Sequence, residues 1–109
     1  MTTPSHNVGS TDLSSLKAEL EAAIPDDWNQ ARLQVVMHYE EGSVGTSHLL
    51  SPPDDPDGFI DIPGDVFHIT TRIERTARAA GQPWREMTVD ALRSPAGWEF
   101  AVRFVNKAA

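Results

Sequence analysis

The chain has no cysteine, which excludes disulfide staples, thiolate metal sites and thiol catalysis together. It has no apolar run of roughly 18 residues that would cross a membrane, and its first residues lack the basic-then-apolar pattern of a signal peptide. A cytoplasmic protein is the expectation. No glycine-rich phosphate loop and no nucleophile elbow is present, and the carboxylates fall mostly in polar stretches where large pKa shifts are not expected. An enzyme is therefore not expected, nor is a cofactor. The least common feature is regional: residues 33–71 contain no Lys or Arg.

That window holds Glu40, Glu41, Asp54, Asp55, Asp57, Asp61 and Asp65, seven acids, while the rest of the chain has nine acids and nine bases. The net charge of −7 is thus the charge of one segment. Such a field repels phosphate backbones and attracts cationic surfaces, so nucleic acid is a disfavoured partner and a basic protein a natural one. Acidity of this size also serves plain solubility. With 109 residues, 39% of them hydrophobic and 23% charged, the chain fits one soluble domain with a modest core.

The clearest pattern lies near the end. Trp98, Phe100, Val102 and Phe104 alternate with Glu99, Ala101 and Arg103, which is a strand with one buried face. Before it, Arg85, Met87, Val89 and Ala91 alternate with Glu86, Thr88 and Asp90, and the Pro95-Ala96-Gly97 stretch supplies a turn between the two arms. A hairpin alone is marginal in water and needs cover.

The rest of the sequence supplies that cover. Leu13, Leu16, Leu20, Ala23 and Ile24 recur at helical spacing over residues 12–24, which Pro25 closes. Leu33, Val35, Met37 and Tyr39 alternate along a strand over 31–40, and Glu41-Gly42 turns it into a second strand over 43–51. Residues 51–58 hold three prolines and three aspartates and form an exposed loop. A short third strand is expected over 59–62. A second helix over 65–80 buries Val66, Ile69, Ile73, Ala77 and Ala80, turns Arg72, Glu74, Arg75 and Arg78 outward, and ends at Gly81. The expected fold is α+β: an antiparallel sheet of about five strands with two helices on one face, in the order α-β-β-β-α-β-β. Residues 1–11 read as a flexible tail and 12–106 as a single domain.

Two metal readings are weak. Pairing about the Glu41-Gly42 turn brings His38 and His48 onto neighbouring strands, yet spacing fixes no third ligand. The Asp54-Asp55-Pro56-Asp57-Gly58 run has acids, but at the wrong offsets for a calcium loop. No metal is expected. As a recognition loop the same run is better suited, because its prolines reduce the entropy lost on binding while its carboxylates meet Lys or Arg.

The landmarks Ile24-Pro25-Asp26-Asp27-Trp28 after a first helix, a strand over 33–40, Gly81-Gln82-Pro83-Trp84 after a second helix and the closing Gly97-Trp98-Glu99-Phe100 strand resemble the YezG-like immunity proteins. The resemblance spans residues 12–105. It implies a bacterial antitoxin that binds and neutralises a cognate polymorphic toxin, often a nuclease domain. On that reading the contact candidates are Glu40, Glu41, Asp54, Asp55 and Asp57, with Asp61 at their margin. Two alternatives carry different signatures. A secretion or assembly chaperone would take an apolar segment through a sheet edge or groove, with little salt dependence. A small-ligand domain would show an enclosed pocket lined by Trp28, Tyr39, Trp84 or Trp98.

Overall fold

A computed structural model describes residues 10–107, the side chain of Ser10 excepted. The expected tail over 1–11 therefore lies mostly outside the described residues, and Ser10 and Thr11 already belong to the first helix. The elements run α1 (Ser10–Ala23), β1 (Gln30–Glu40), β2 (Ser43–Ser51), a single 3-10 turn (Pro56–Gly58), α2 (Gly64–Ala79), β3 (Trp84–Ser94) and β4 (Gly97–Asn106). All neighbouring strands are antiparallel and the sheet order is β2-β1-β3-β4. α2 thus carries the chain from one edge across β1 to β3, and β2 and β3 run in the same direction with β1 between them.

The fold is α+β as expected, with four strands rather than five among the described residues. Residues 59–62 do not add a strand; they make one isolated bridge, in which the Ile60 amide donates to the Leu50 carbonyl at 2.9 Å. The segment is short because it is bounded on both sides: the Gly58 amide is taken by the Asp55 carbonyl in the preceding turn, and Pro63 already caps α2, which leaves four residues between two other structures. The element order is accordingly α-β-β-α-β-β.

Alternation sorts the sheet into two faces. Ala31, Leu33, Val35 and Met37 of β1 and Met87, Val89 and Ala91 of β3 are buried on one face. α1 contributes Leu16 and Leu20, and α2 contributes Val66, Ile69, Ile73 and Ala77, to the same core. Each fully buried side chain of this size contributes about 1.5–3 kcal/mol of transfer free energy. The opposite face carries Arg32, Gln34, Thr88, Glu86, Asp90 and Arg103 and lies open, with Asp90 holding Arg32 at 2.6 Å and Arg103 at 2.8 Å.

Two local details depart from simple periodicity. The register of β3 against β4 shifts between Trp84 and Glu86, so Trp84 joins the core and Arg85 is exposed instead of continuing the Met87 face. In α2 the buried stripe is broader than its apolar residues: Thr70 and Glu74 are buried too, whereas Ala80 is exposed. α2 ends where Gly81 takes φ of +78°, which lets the Gln82 amide reach the Ala77 carbonyl and the Gly81 amide that of Arg78. That pair of bonds is the Schellman closure a glycine allows.

Candidate functional site

The acidic window is divided by the sheet. Glu40 and Glu41 sit at the β1-β2 hairpin tip, while Asp54, Asp55, Asp57 and Asp61 follow the far end of β2. β2 has nine residues, and at a rise of ~3.3 Å per residue its ends lie about 26 Å apart. The six candidates therefore do not form one surface. Their proximity in sequence is undone because a fully extended strand lies between them.

The structure supplies other acids to the Asp54 end. The connection from α1 to β1 carries Asp26 and Asp27, and it abuts the loop after β2: Asp27, Trp28, Asn29, Gln30, Pro52 and Asp54 line one recess of about 320 Å³. Asp26, Asp27, Asp54, Asp55, Asp57 and Asp61 are all exposed, and among the described residues none of them has an ion-pair partner. The carboxylates that are paired lie elsewhere, at Asp12, Glu74 and Asp90. Sequence reasoning missed Asp26 and Asp27 because they fall outside the base-free window. The available signal was the turn at Pro25, which must return the chain to the start of β1 beside the end of its partner strand.

Both loops are held. Arg93, at the end of β3, donates through Nε to the Trp28 carbonyl at 3.1 Å and through Nη2 to the Asp26 carbonyl at 3.0 Å. Its guanidinium lies 4.5 Å from the centre of the Trp98 ring, and its backbone amide donates to the Asn29 carbonyl. The loop after β2 is tightened by Asp55-to-Pro52 and Gly58-to-Asp55 backbone bonds. The Asp55 carboxylate lies over Gly58 so closely that a Cβ there would stand 2.7 Å from Oδ2. Three prolines and these bonds leave little freedom to lose on binding. Beside the acidic recess a second one, about 390 Å³, opens onto the free sheet face between Pro53, Leu92 and Ala101, with Arg32 and Asp90 on its floor. Burial acts to raise the Asp90 carboxyl, but the hydrogen bonds and charges of Arg32 and Arg103 outweigh it and hold it below its ordinary value.

The hairpin tip is different in kind. Tyr39 passes its hydroxyl between Glu74 Oε2 at 2.8 Å and the Trp84 carbonyl at 2.9 Å, and Lys107 Nζ lies 5.6 Å from its ring centre. Glu74 was expected to face solvent and is 2% exposed, with Arg78 Nη2 at 3.4 Å. Burial, then the hydrogen bond and charge of Glu74, raise the Tyr39 pKa well above its ordinary value. This is a structural buried polar cluster tying the hairpin to α2. A recess of about 280 Å³ beside it is lined by Met37, Val44, Thr46, Phe67, Glu74 and Arg78 among others.

The histidine pair on β1 and β2 separates. The register sets His38 opposite Gly45 and His48 opposite Val35, so the two rings lie on opposite sheet faces. His38 meets Ser47 on the open face and His48 meets Thr70 Oγ1 of α2 at 2.7 Å on the helix face. Among the described residues no group of three or more His, Asp or Glu is placed to hold a metal ion. The aromatic residues offered as a pocket lining also disperse: Trp84 is buried against Phe104, Trp98 lies under Arg93, and Trp28 packs on the core edge. No helix among the described residues is long and apolar enough to cross a membrane.

Neither a family model nor a curated protein matches the chain.

Proposed function

We propose that the protein is a binding protein that takes a cationic protein partner at the Asp26-Asp27 and Asp54-Asp57 end of the sheet, as an immunity protein takes its toxin. The observation that carries this reading is the convergence of unpaired, exposed carboxylates from two tethered loops around one recess. Opposite charge accelerates encounter, and an inhibitor of a toxic enzyme must arrive quickly. A basic nuclease is the fitting class of toxin, because the surface that holds its phosphate backbone is the surface an acidic rim would cover. Glu40 and Glu41 lie at the other end and take no part in this contact.

The test is co-purification with the product of the adjacent gene, repeated with two charge-neutralised variants. Asp54→Asn/Asp55→Asn/Asp57→Asn weakens the complex at least tenfold at low salt and flattens its salt dependence, while Glu40→Gln/Glu41→Gln binds as wild type does. Wild-type binding by the triple Asn variant, or a complex indifferent to salt, overturns this assignment.

A further inference from the structure

The two edges of the sheet are built differently. β2 is largely polar, contains Gly45, and near its far end is capped by Ile60 bonding to Leu50. β4 has no such cover among the described residues. From Trp98 to Phe104 it contains no proline and no register shift, the shift in its ladder lying at Trp84 and Glu86 of β3. Sheet edges that stay unpaired are ordinarily blunted by such devices or by inward charges. On the helix-facing side Trp98, Phe100, Val102 and Phe104 are half-buried, whereas Met87, Val89 and Ala91 beside them on β3 are buried.

The register fixes which backbone groups face outward. Ser94 and Gly97 are paired across the two-residue turn Pro95-Ala96, so theirs is a hydrogen-bonded pair, and alternation makes Leu92 with Glu99, Asp90 with Ala101 and Thr88 with Arg103 the next ones. The amide and carbonyl groups of Trp98, Phe100, Val102 and Phe104 therefore point away from β3.

We propose that β4 pairs antiparallel with β4 of a second copy of this chain, about a two-fold axis at Ala101. In this register Phe100 and Val102 of the two copies exchange their outward hydrogen bonds, and Trp98 meets Phe104 on the helix side. On the open face Glu99 of each copy stands opposite Arg103 of the other, in a non-hydrogen-bonded pair where side chains approach most closely. The neighbouring symmetric registers, centred on Phe100 or Val102, set Glu99 against Ala101 or Val105 and leave both charges unmatched. Only the Ala101 register pairs them, and it pairs them twice, as a two-fold interface must. Glu99 is free to do so: it is exposed and has no ion-pair partner among the described residues. Arg103 meets Asp90 through Nη2 alone, and its side chain is 63% exposed, so donors remain for Glu99.

The test uses a single cysteine. Because the chain has none of its own, Ala101→Cys cross-links only between copies, and the ~4.5 Å Cα separation of a non-hydrogen-bonded pair fits a disulfide. Under mild oxidation Ala101→Cys runs at twice the 12.0 kDa chain mass on a non-reducing gel, while Val105→Cys, which faces Gly97 in this register, stays single. In sedimentation equilibrium the wild type dimerises. Glu99→Arg and Arg103→Glu each weaken the dimer by about tenfold or more, and their equimolar mixture restores it. Circular dichroism establishes that both variants are folded. A wild type that is monomeric at several hundred micromolar, a cross-link formed no faster at position 101 than at 105, or a mixture that fails to restore association overturns the proposal.

Discussion

Removing one oxygen atom, in Tyr39→Phe, probes the cluster that ties the β1-β2 hairpin to α2. The hydroxyl supplies the short contact to Glu74, at 2.8 Å, whose ion-pair partner Arg78 lies farther off at 3.4 Å. Glu74 is 2% exposed, so water does not replace the lost donor at full strength. Hydrogen bonds to charged groups are worth about 1.5–3 kcal/mol, which sets the expected destabilisation near 2 kcal/mol and the fall in Tm near roughly 10 °C. Urea unfolding followed by tryptophan fluorescence measures it. The same substitution in a Glu74→Leu background costs at least about 1 kcal/mol less, because no carboxylate is left stranded. The alkaline limb gives an independent reading. Tyr39 is the only tyrosine, and its folded pKa is raised, so stability is fully present below the ordinary value of 10.0 and falls as the unfolded phenol ionises above it. Tyr39→Phe removes that part of the decline. A cost under about 0.5 kcal/mol, or equal costs in the two backgrounds, would refute the reasoning.

Further expectations concern the acid limb and the tether. His48 has its pKa lowered by burial, so its contribution is present above the ordinary value of 6.5 and is lost as pH falls below it; His48→Gln flattens the acid limb of urea-unfolding stability there. Arg93→Ala frees the Trp28 and Asp26 carbonyls and exposes Trp98, costing about 1 kcal/mol and raising amide exchange over residues 26–29. On the proposed function it also weakens partner binding, although Arg93 is basic and its removal makes the end more acidic. Unchanged exchange over that loop refutes the tether.

Much of the fold was legible because alternation and helical spacing report which side of an element is buried. The period-two runs at Leu33 to Tyr39 and Trp98 to Phe104, the stop at Pro25 and the glycine after α2 each correspond to an element or its end. Residues 59–62 misled because three apolar side chains among prolines suit a strand, while the turn ending at Gly58 and the cap of α2 at Pro63 confine them to a single bridge. Glu74 misled in the same way: a charged residue at the border of an apolar stripe is solvated by default, and it takes Tyr39, 35 residues away in sequence, together with Arg78 one turn on to make its burial tolerable.

Chain chemistry by itself determined the class of fold, the faces of its elements, the absence of thiol chemistry and the concentration of negative charge, since these follow from local periodicity and composition. Tertiary structure decided which acids share a surface. An extended β2 moves Glu40 and Glu41 far from Asp54, and Arg93 brings Asp26 and Asp27 close to it. It also decided which strand is left as an open edge, because sheet order depends on the crossover through α2 and no local pattern records it.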